Sequence, residues 1–149
     1  MEAVGIWNVK GVFCIITIRE YGPFDLEELL ALYAAVGWTS YTDRPDMLAE
    51  AYHHSLFILG AYDGETLVGV LRAVGDGASI VYIQDILVQP AYQRRGIGTQ
   101  LMRQVMAQFD SVHQLVLMTD DEEKTKAFYR SLGLTDATET GCVAFMKVQ

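Results

Sequence analysis

The stretch from Val81 to Met102 restricts the fold more than any other part of the chain. An apolar, β-branched run, Val81-Tyr-Ile-Gln-Asp-Ile-Leu-Val88, meets Pro90, then Arg94-Arg95, then Gly96-Ile-Gly98. Apolar residues fill both alternations of the run, which predicts a central strand covered on both faces, and proline ends the pairing because it cannot donate to a ladder. Ile97, Leu101, Val105 and Phe109 then recur every fourth residue with Arg103, Gln104 and Gln108 between them, the spacing of a helix with one buried side. The glycines remove Cβ atoms that would keep a ligand from the backbone. The first-turn N–H groups, at the positive end of the helix dipole, have no partner within the helix. This order predicts an anion site, and a phosphate suits it. A dinucleotide-binding turn fits less well: Leu101 stands where it needs its third glycine, and Gln89 to Arg95 separate strand from helix.

Gln93-Arg94-Arg95-Gly96-Ile97-Gly98 resembles the acetyl-coenzyme A binding motif of the GCN5-related N-acetyltransferases, the GNAT family: Gln or Arg, two free positions, Gly, one free position, then Gly or Ala. The preceding Asp85-Ile-Leu-Val-x-Pro90 belongs to the same pattern, and Ala127-Phe-Tyr-Arg-Ser-Leu-Gly-Leu134 is similar to the family's second motif. The resemblance covers Leu67 to Leu134. It implies acetyl-coenzyme A as cosubstrate, held by Gln93, Arg94, Arg95, Gly96, Ile97, Gly98 and Thr99, with the two arginines pairing the phosphates. The amides of the pantetheine arm can add to a sheet edge as a peptide does. Where two strands part, Leu87 and Val88 would offer their backbone groups. A bulge near this point in the family aims an N–H at the thioester oxygen, here from Leu87 or Val88, where it would stabilise a developing oxyanion.

The second motif makes Tyr129 the candidate general acid for the departing thiolate, since a tyrosine keeps its proton at neutral pH; a core aromatic is the structural alternative. Phe128 is expected to pack or to contact coenzyme A. Glu122 stands where the family often has Asn. A carboxylate cannot donate the bond an amide would, so Glu122 is left out of the cofactor set. The run Asp120-Asp121-Glu122-Glu123 reads as N-capping and dipole complement, and no metal site is expected.

Asp85 is the second candidate catalytic residue, because a carboxylate within an apolar strand is costly unless paired or poised to act. It would hold the acceptor ammonium and take its proton, or else form a structural ion pair with a residue such as Arg72 on the adjacent strand. His53 and His54 are weaker candidates, with a surface or capping role as the default. The acceptor pocket implied by the resemblance involves the loop that carries Trp38 and Tyr41, with Tyr33 close by. These rings suit an apolar or aromatic amine or a cation, and equally a core.

The remaining chain predicts a strand at Val12–Ile18, a helix from Asp25 to Ala35, a loop Gly37–Thr42, and a helix from an Asp43 cap through His53. A hairpin of Leu56–Tyr62 and Thr66–Val74 precedes the central strand. Later come a strand at His113–Thr119, a helix at Glu122–Leu132 closed by Gly133, and a last strand at Cys142–Val148. Antiparallel strands followed by one strand–helix–strand crossover give an α+β fold, GNAT-like, its mixed, mostly antiparallel sheet splayed at the central strand and flanked by about four helices. The 149 residues suit a single domain, 1–149. Cys14 and Cys142 sit in apolar runs and are expected as buried, reduced thiols. The net charge of −8 argues against nucleic acid or an anionic membrane as partner. No leader pattern or spanning stretch is read, and a cytoplasmic location is expected. Together these features predict an acetyl-coenzyme A-dependent N-acetyltransferase acting on a primary amine of a small molecule or peptide, by direct transfer in a ternary complex. The alternative is a non-catalytic acyl-coenzyme A binding or sensing module. Monomer and homodimer are both open.

Overall fold

A computed structural model describes residues 1–147 of the chain. They fall into two compact units, Met1–Leu117 and the residues from Met118 onward. The first unit holds strands β1 (Glu2–Trp7), β2 (Phe13–Glu20), β3 (Phe57–Asp63), β4 (Thr66–Gly75), β5 (Ile80–Val88) and β6 (Gln114–Leu117). Its helices are α1 (Leu26–Ala35), α2 (Thr39–Thr42), α3 (Pro45–His53) and α4 (Ile97–Gln108), with a 3-10 turn at Pro90–Tyr92. The second unit holds α5 (Glu123–Ser131) and a 3-10 turn at Ala137–Thr140.

The sheet runs β1-β2-β3-β4-β5-β6, antiparallel throughout except for the parallel β5–β6 pair. β6 pairs only with Ile80–Ile83, so β5 loses that neighbour from Gln84 onward. This is the splay expected of an α+β sheet of this kind. β1 is a strand that the sequence reading missed: its six residues carry a central glycine and little β-branched content, and it forms by pairing with β2 from Glu2↔Ile18 to Trp7↔Phe13.

On one sheet face, Leu29, Leu32 and Tyr33 of α1 and Leu48 and Tyr52 of α3 form a buried cluster with Tyr62, Leu67, Val70 and Leu87. The opposite alternation, including Leu71, Ala73, Val81 and Ile83, is buried together with Ile97, Leu101, Met102 and Val105 of α4. Both layers rest on β5, which explains its apolar content on both sides. Gly75 (φ 134) makes the sharp entry to β5, where a Cβ would run into the Ile80 carbonyl.

Several local expectations need correction. Asp43 closes α2 and does not cap α3, whose N-cap is Arg44, while Asp25 does cap α1 by accepting from Glu28 N at 3.1 Å. The expected loop 37–42 contains the single turn α2. Residues 142–147 form no strand, and Val148 lies outside the described residues. Cys14 is half-buried and Cys142 exposed, both free, so Cys142 is not the buried thiol expected. Among the described residues no helix is long and apolar enough to cross a membrane.

Candidate active site

The corner between β5 and α4 is built to leave polar groups open. Gly96, at φ 84, is the N-cap of α4, and no side chain caps the helix. The first bond into it runs from Gln100 N to Gly96 O at 3.0 Å, so the N–H groups of Ile97, Gly98 and Thr99 face outward. Arg94 is exposed and itself left-handed, at φ 59. These groups fit a pyrophosphate: oriented N–H donors, a free cation, and a backbone that only glycine adopts easily at position 96.

Arg95 behaves differently from Arg94. Its guanidinium reaches the β1–β2 hairpin and donates to the Trp7 carbonyl, while its Nε is buried without a partner. The symmetrical arginine clamp expected from the sequence is thus one free cation and one tether. Gln93 also turns back, donating from Nε2 to Val88 O at 2.9 Å.

Register decides which backbone groups of β5 are free. Gln89 donates its N–H to Val68 O at 2.7 Å, and in an antiparallel pair alternate residues turn both polar groups to the same neighbour. Leu87, opposite Val70, therefore commits its N–H and C=O to β4, and its side chain lies in the core. Leu87 is corrected from the cofactor-binding set on this ground. Ile86 and Val88 point their backbone groups to the side that β6 has left, and Val88 keeps its N–H there. Ile86 had no signal in the sequence, because parity along a strand depends on a partner register that only pairing reveals.

The bulge also lies elsewhere than expected. Ala73 pairs with Ile83 but Arg72 with Asp85, so the extra residue is Gln84, at the point where β6 pairing ends. That residue shifts the alternation. Ile83 belongs to the α4 layer, whereas Asp85 joins Val70, Arg72 and Leu87 on the α1–α3 side.

There Asp85, 2% exposed, is fully engaged. Its Oδ2 accepts from Arg72 Nε at 2.7 Å and from Tyr33 Oη at 2.8 Å, and its Oδ1 accepts from Tyr41 Oη at 2.6 Å. Tyr33 and Tyr52 hydroxyls meet at 3.0 Å, Arg72 Nη1 donates to Ser55 Oγ at 3.3 Å, and the Arg72 guanidinium lies 5.6 Å from the centre of the Tyr52 ring. Burial alone would lower the Arg72 pKa, but the Asp85 carboxylate overrides it and the guanidinium is held above its ordinary value. Burial, reinforced by Tyr52 and Asp85, pushes the Tyr33 hydroxyl far up. The pair with Arg72, left open by the sequence, is formed, and Asp85 does not stand open to an amine. Its expected role as direct base is corrected accordingly.

Tyr33 has no exposed surface and is corrected from pocket wall to core. Trp38 and Tyr41 are half-buried and stack at 6.0 Å between ring centroids. Burial, then the bond to Asp85, raises the Tyr41 pKa. His54 pairs with Glu50 at 2.9 Å on the surface, and His53 lies against the Phe24 ring.

In the second unit Tyr129 is half-buried on α5, beside Phe128 with ring centroids 5.0 Å apart. Burial raises its pKa and Asp120 adds to this, while a hydrogen bond with Thr119 opposes them. Glu122 is the N-cap but its side chain caps nothing; Asp121 and Glu123 instead pair with Lys126. Among the described residues no group of three or more His, Cys, Asp or Glu side chains could hold a metal.

Comparison with known proteins agrees with this geometry. A model described as the acetyltransferase (GNAT) family matches residues 24–134. The chain belongs to the GNAT family. An uncharacterized N-acetyltransferase ycf52-like protein of Prochlorococcus marinus is 31% identical over 134 residues, 86% of this chain and 71% of that relative. The chain spans about half, 52%, of a histone acetyltransferase of Glycine max, at 29% identity over 126 residues. Among solved structures, a GNAT family acetyltransferase of Streptococcus pneumoniae is 41% identical, with a TM-score of 0.81 over 90% of this chain and 98% of that one. These similarities and the six-stranded sheet place the chain among the GNAT acetyltransferases.

Proposed function

We propose that this GNAT chain transfers the acetyl group of acetyl-coenzyme A to a primary amine of a small molecule or peptide, by direct attack within a ternary complex. The observation that carries this reading is the corner itself: Val88 N–H on the open side of β5 and the uncapped first turn of α4 lie within one short stretch of chain. When bound, acetyl-coenzyme A supplies an activated thioester and a thiol as leaving group. The N–H groups of Ile97, Gly98 and Thr99, with Arg94, hold its pyrophosphate. Ile86 and Val88 pair with the pantetheine amides as a strand would. Tyr129 is assigned the proton for the thiolate by its place in the Ala127–Leu134 motif. Its raised pKa keeps that proton on the oxygen at neutral pH. A GNAT-fold structure of AAC(6')-Iy holds a bisubstrate analogue, CoA-S-monomethyl-acetylneamine, which supports a site open to both substrates at once.

The test is thiol release from acetyl-coenzyme A over a panel of primary amines, with both substrates varied. Intersecting initial-velocity lines are expected, and parallel lines would replace direct transfer by an acetyl-enzyme. Tyr129→Phe should lower kcat by about 10²–10⁴-fold with little change in acetyl-coenzyme A affinity. Tight binding without turnover of any amine would leave the sensing module as the reading.

A further inference from the structure

Gln84 is exposed while its neighbours Ile83 and Asp85 are buried. It is the bulge residue of β5 and the first to lack a β6 partner. Its carboxamide Nε2 lies 3.5 Å from Tyr41 Oη, a long bond that a better partner can displace. Tyr41 in turn has a single proton, and it is committed to Asp85 Oδ1 at 2.6 Å. A hydroxyl whose proton is committed can only accept from anything else that approaches it. The group that fits beside Tyr41 Oη is therefore a donor.

We propose that Tyr41 Oη and the Gln84 side-chain carbonyl together seat the N–H groups of the acceptor amine at the splay of the sheet, with Asp85 as a positioning residue that fixes the Tyr41 proton. This rests on the acetyltransferase reading above. Val88 lies four residues beyond Gln84 on the same strand, about 13 Å away at the usual rise. The stacked Trp38 and Tyr41 rings form an apolar wall at the seat, and the Asp85 charge is already balanced by Arg72. A seat of this kind has no net negative charge with which to gather a polycation. It takes a monoamine with an apolar flank, held by hydrogen bonds and ring contact.

The probe is 2-phenylethylamine, with spermidine as the polycationic comparison. Calorimetry on the full chain in the presence of coenzyme A, which cannot react, reads binding independently of turnover. Wild type is expected to bind 2-phenylethylamine more tightly than spermidine. Tyr41→Phe keeps the ring and should weaken amine binding about tenfold, and Gln84→Leu severalfold, each with unchanged coenzyme A affinity. Asp85→Asn should weaken amine binding as well. In the double variant with Tyr41→Phe the loss should not exceed that of Tyr41→Phe alone, whereas a merely structural role gives additive losses. Amine affinity unchanged in both folded Tyr41→Phe and Gln84→Leu overturns the proposal, as does failure of wild type to bind the monoamine. If the amine binds as described but is never acetylated, the transferase reading fails and the seat stands.

Discussion

Val88 to Thr99 and the cluster around Asp85 share one strand, yet they treat polar groups in opposite ways. At the corner, a helix start is uncapped, a strand edge is unpaired and Arg94 is held exposed in a left-handed backbone. Around Asp85, both carboxylate oxygens are satisfied, the one cation is paired, and the tyrosine hydroxyls bond to the carboxylate or to one another. Unmade bonds mark a place waiting for a ligand. Completed bonds mark a place that holds the chain in shape, because a buried polar group left alone destabilises far more than a paired one stabilises. The two regions should therefore fail differently when altered.

The largest separation is expected from Gly98→Glu. A carboxylate and its methylenes at the mouth of the first turn should abolish acetyl-coenzyme A binding by calorimetry, with the thermal midpoint little changed. Retained affinity would remove the corner from the cofactor site. Arg72→Leu should do the reverse. With the buried Asp85 left uncompensated, about 3–5 kcal/mol of stability should be lost in urea unfolding, while folded protein keeps its coenzyme A affinity.

A smaller effect follows from pH. Burial raises the Tyr33 and Tyr52 pKa values well above the ordinary tyrosine value, so between about pH 10 and those values the folded chain binds more protons than the unfolded one. Their contribution is complete below about pH 10 and falls above it, by about 1.4 kcal/mol per pH unit for each hydroxyl. Urea unfolding across that range should show the decline and Tyr33→Phe should flatten it. A decline of equal slope in the variant would show that Tyr33 titrates normally. The smallest change is expected from Arg94→Gly, which relieves the left-handed backbone and should gain about 1 kcal/mol of stability. It also loses an exposed cation, and coenzyme A affinity should fall by less than about tenfold. An unchanged thermal midpoint would mean that Arg94 carries no strain.

What the sequence made legible follows the same division. The α4 period, the glycine corner and the apolar β5 run are local patterns, and each predicted its element and the anion site. Asp85 drew attention because a lone carboxylate in that run demanded a partner, and Arg72 was a plausible one. Tyr33 and Tyr41 were noticed as rings when their hydroxyls were the relevant part, since nothing local tells which oxygen reaches Asp85. Leu87 was misjudged because the direction of its N–H depends on pairing with Val70 across the ladder. Arg95 looked like Arg94 until the hairpin supplied the Trp7 carbonyl, some ninety residues away in the chain. Gln84 carried no signal at all.

The extra residue in β5 behaves like a one-letter shift in a reading frame. Upstream, Val81 and Ile83 spell one face of the sheet; downstream, the same alternation would have spelled Asp85 and Leu87 onto that face too, placing a carboxylate among Leu71, Leu101 and Met102 and away from Arg72 and the two tyrosines. With Gln84 bulged out of the ladder, two messages of opposite phase share one continuous strand, an apolar one for α4 and a polar one for α1 and α3. Forcing Gln84 to pair as an ordinary rung of the ladder would leave every letter of the chain in place and turn the second half of the strand away from the helices it serves.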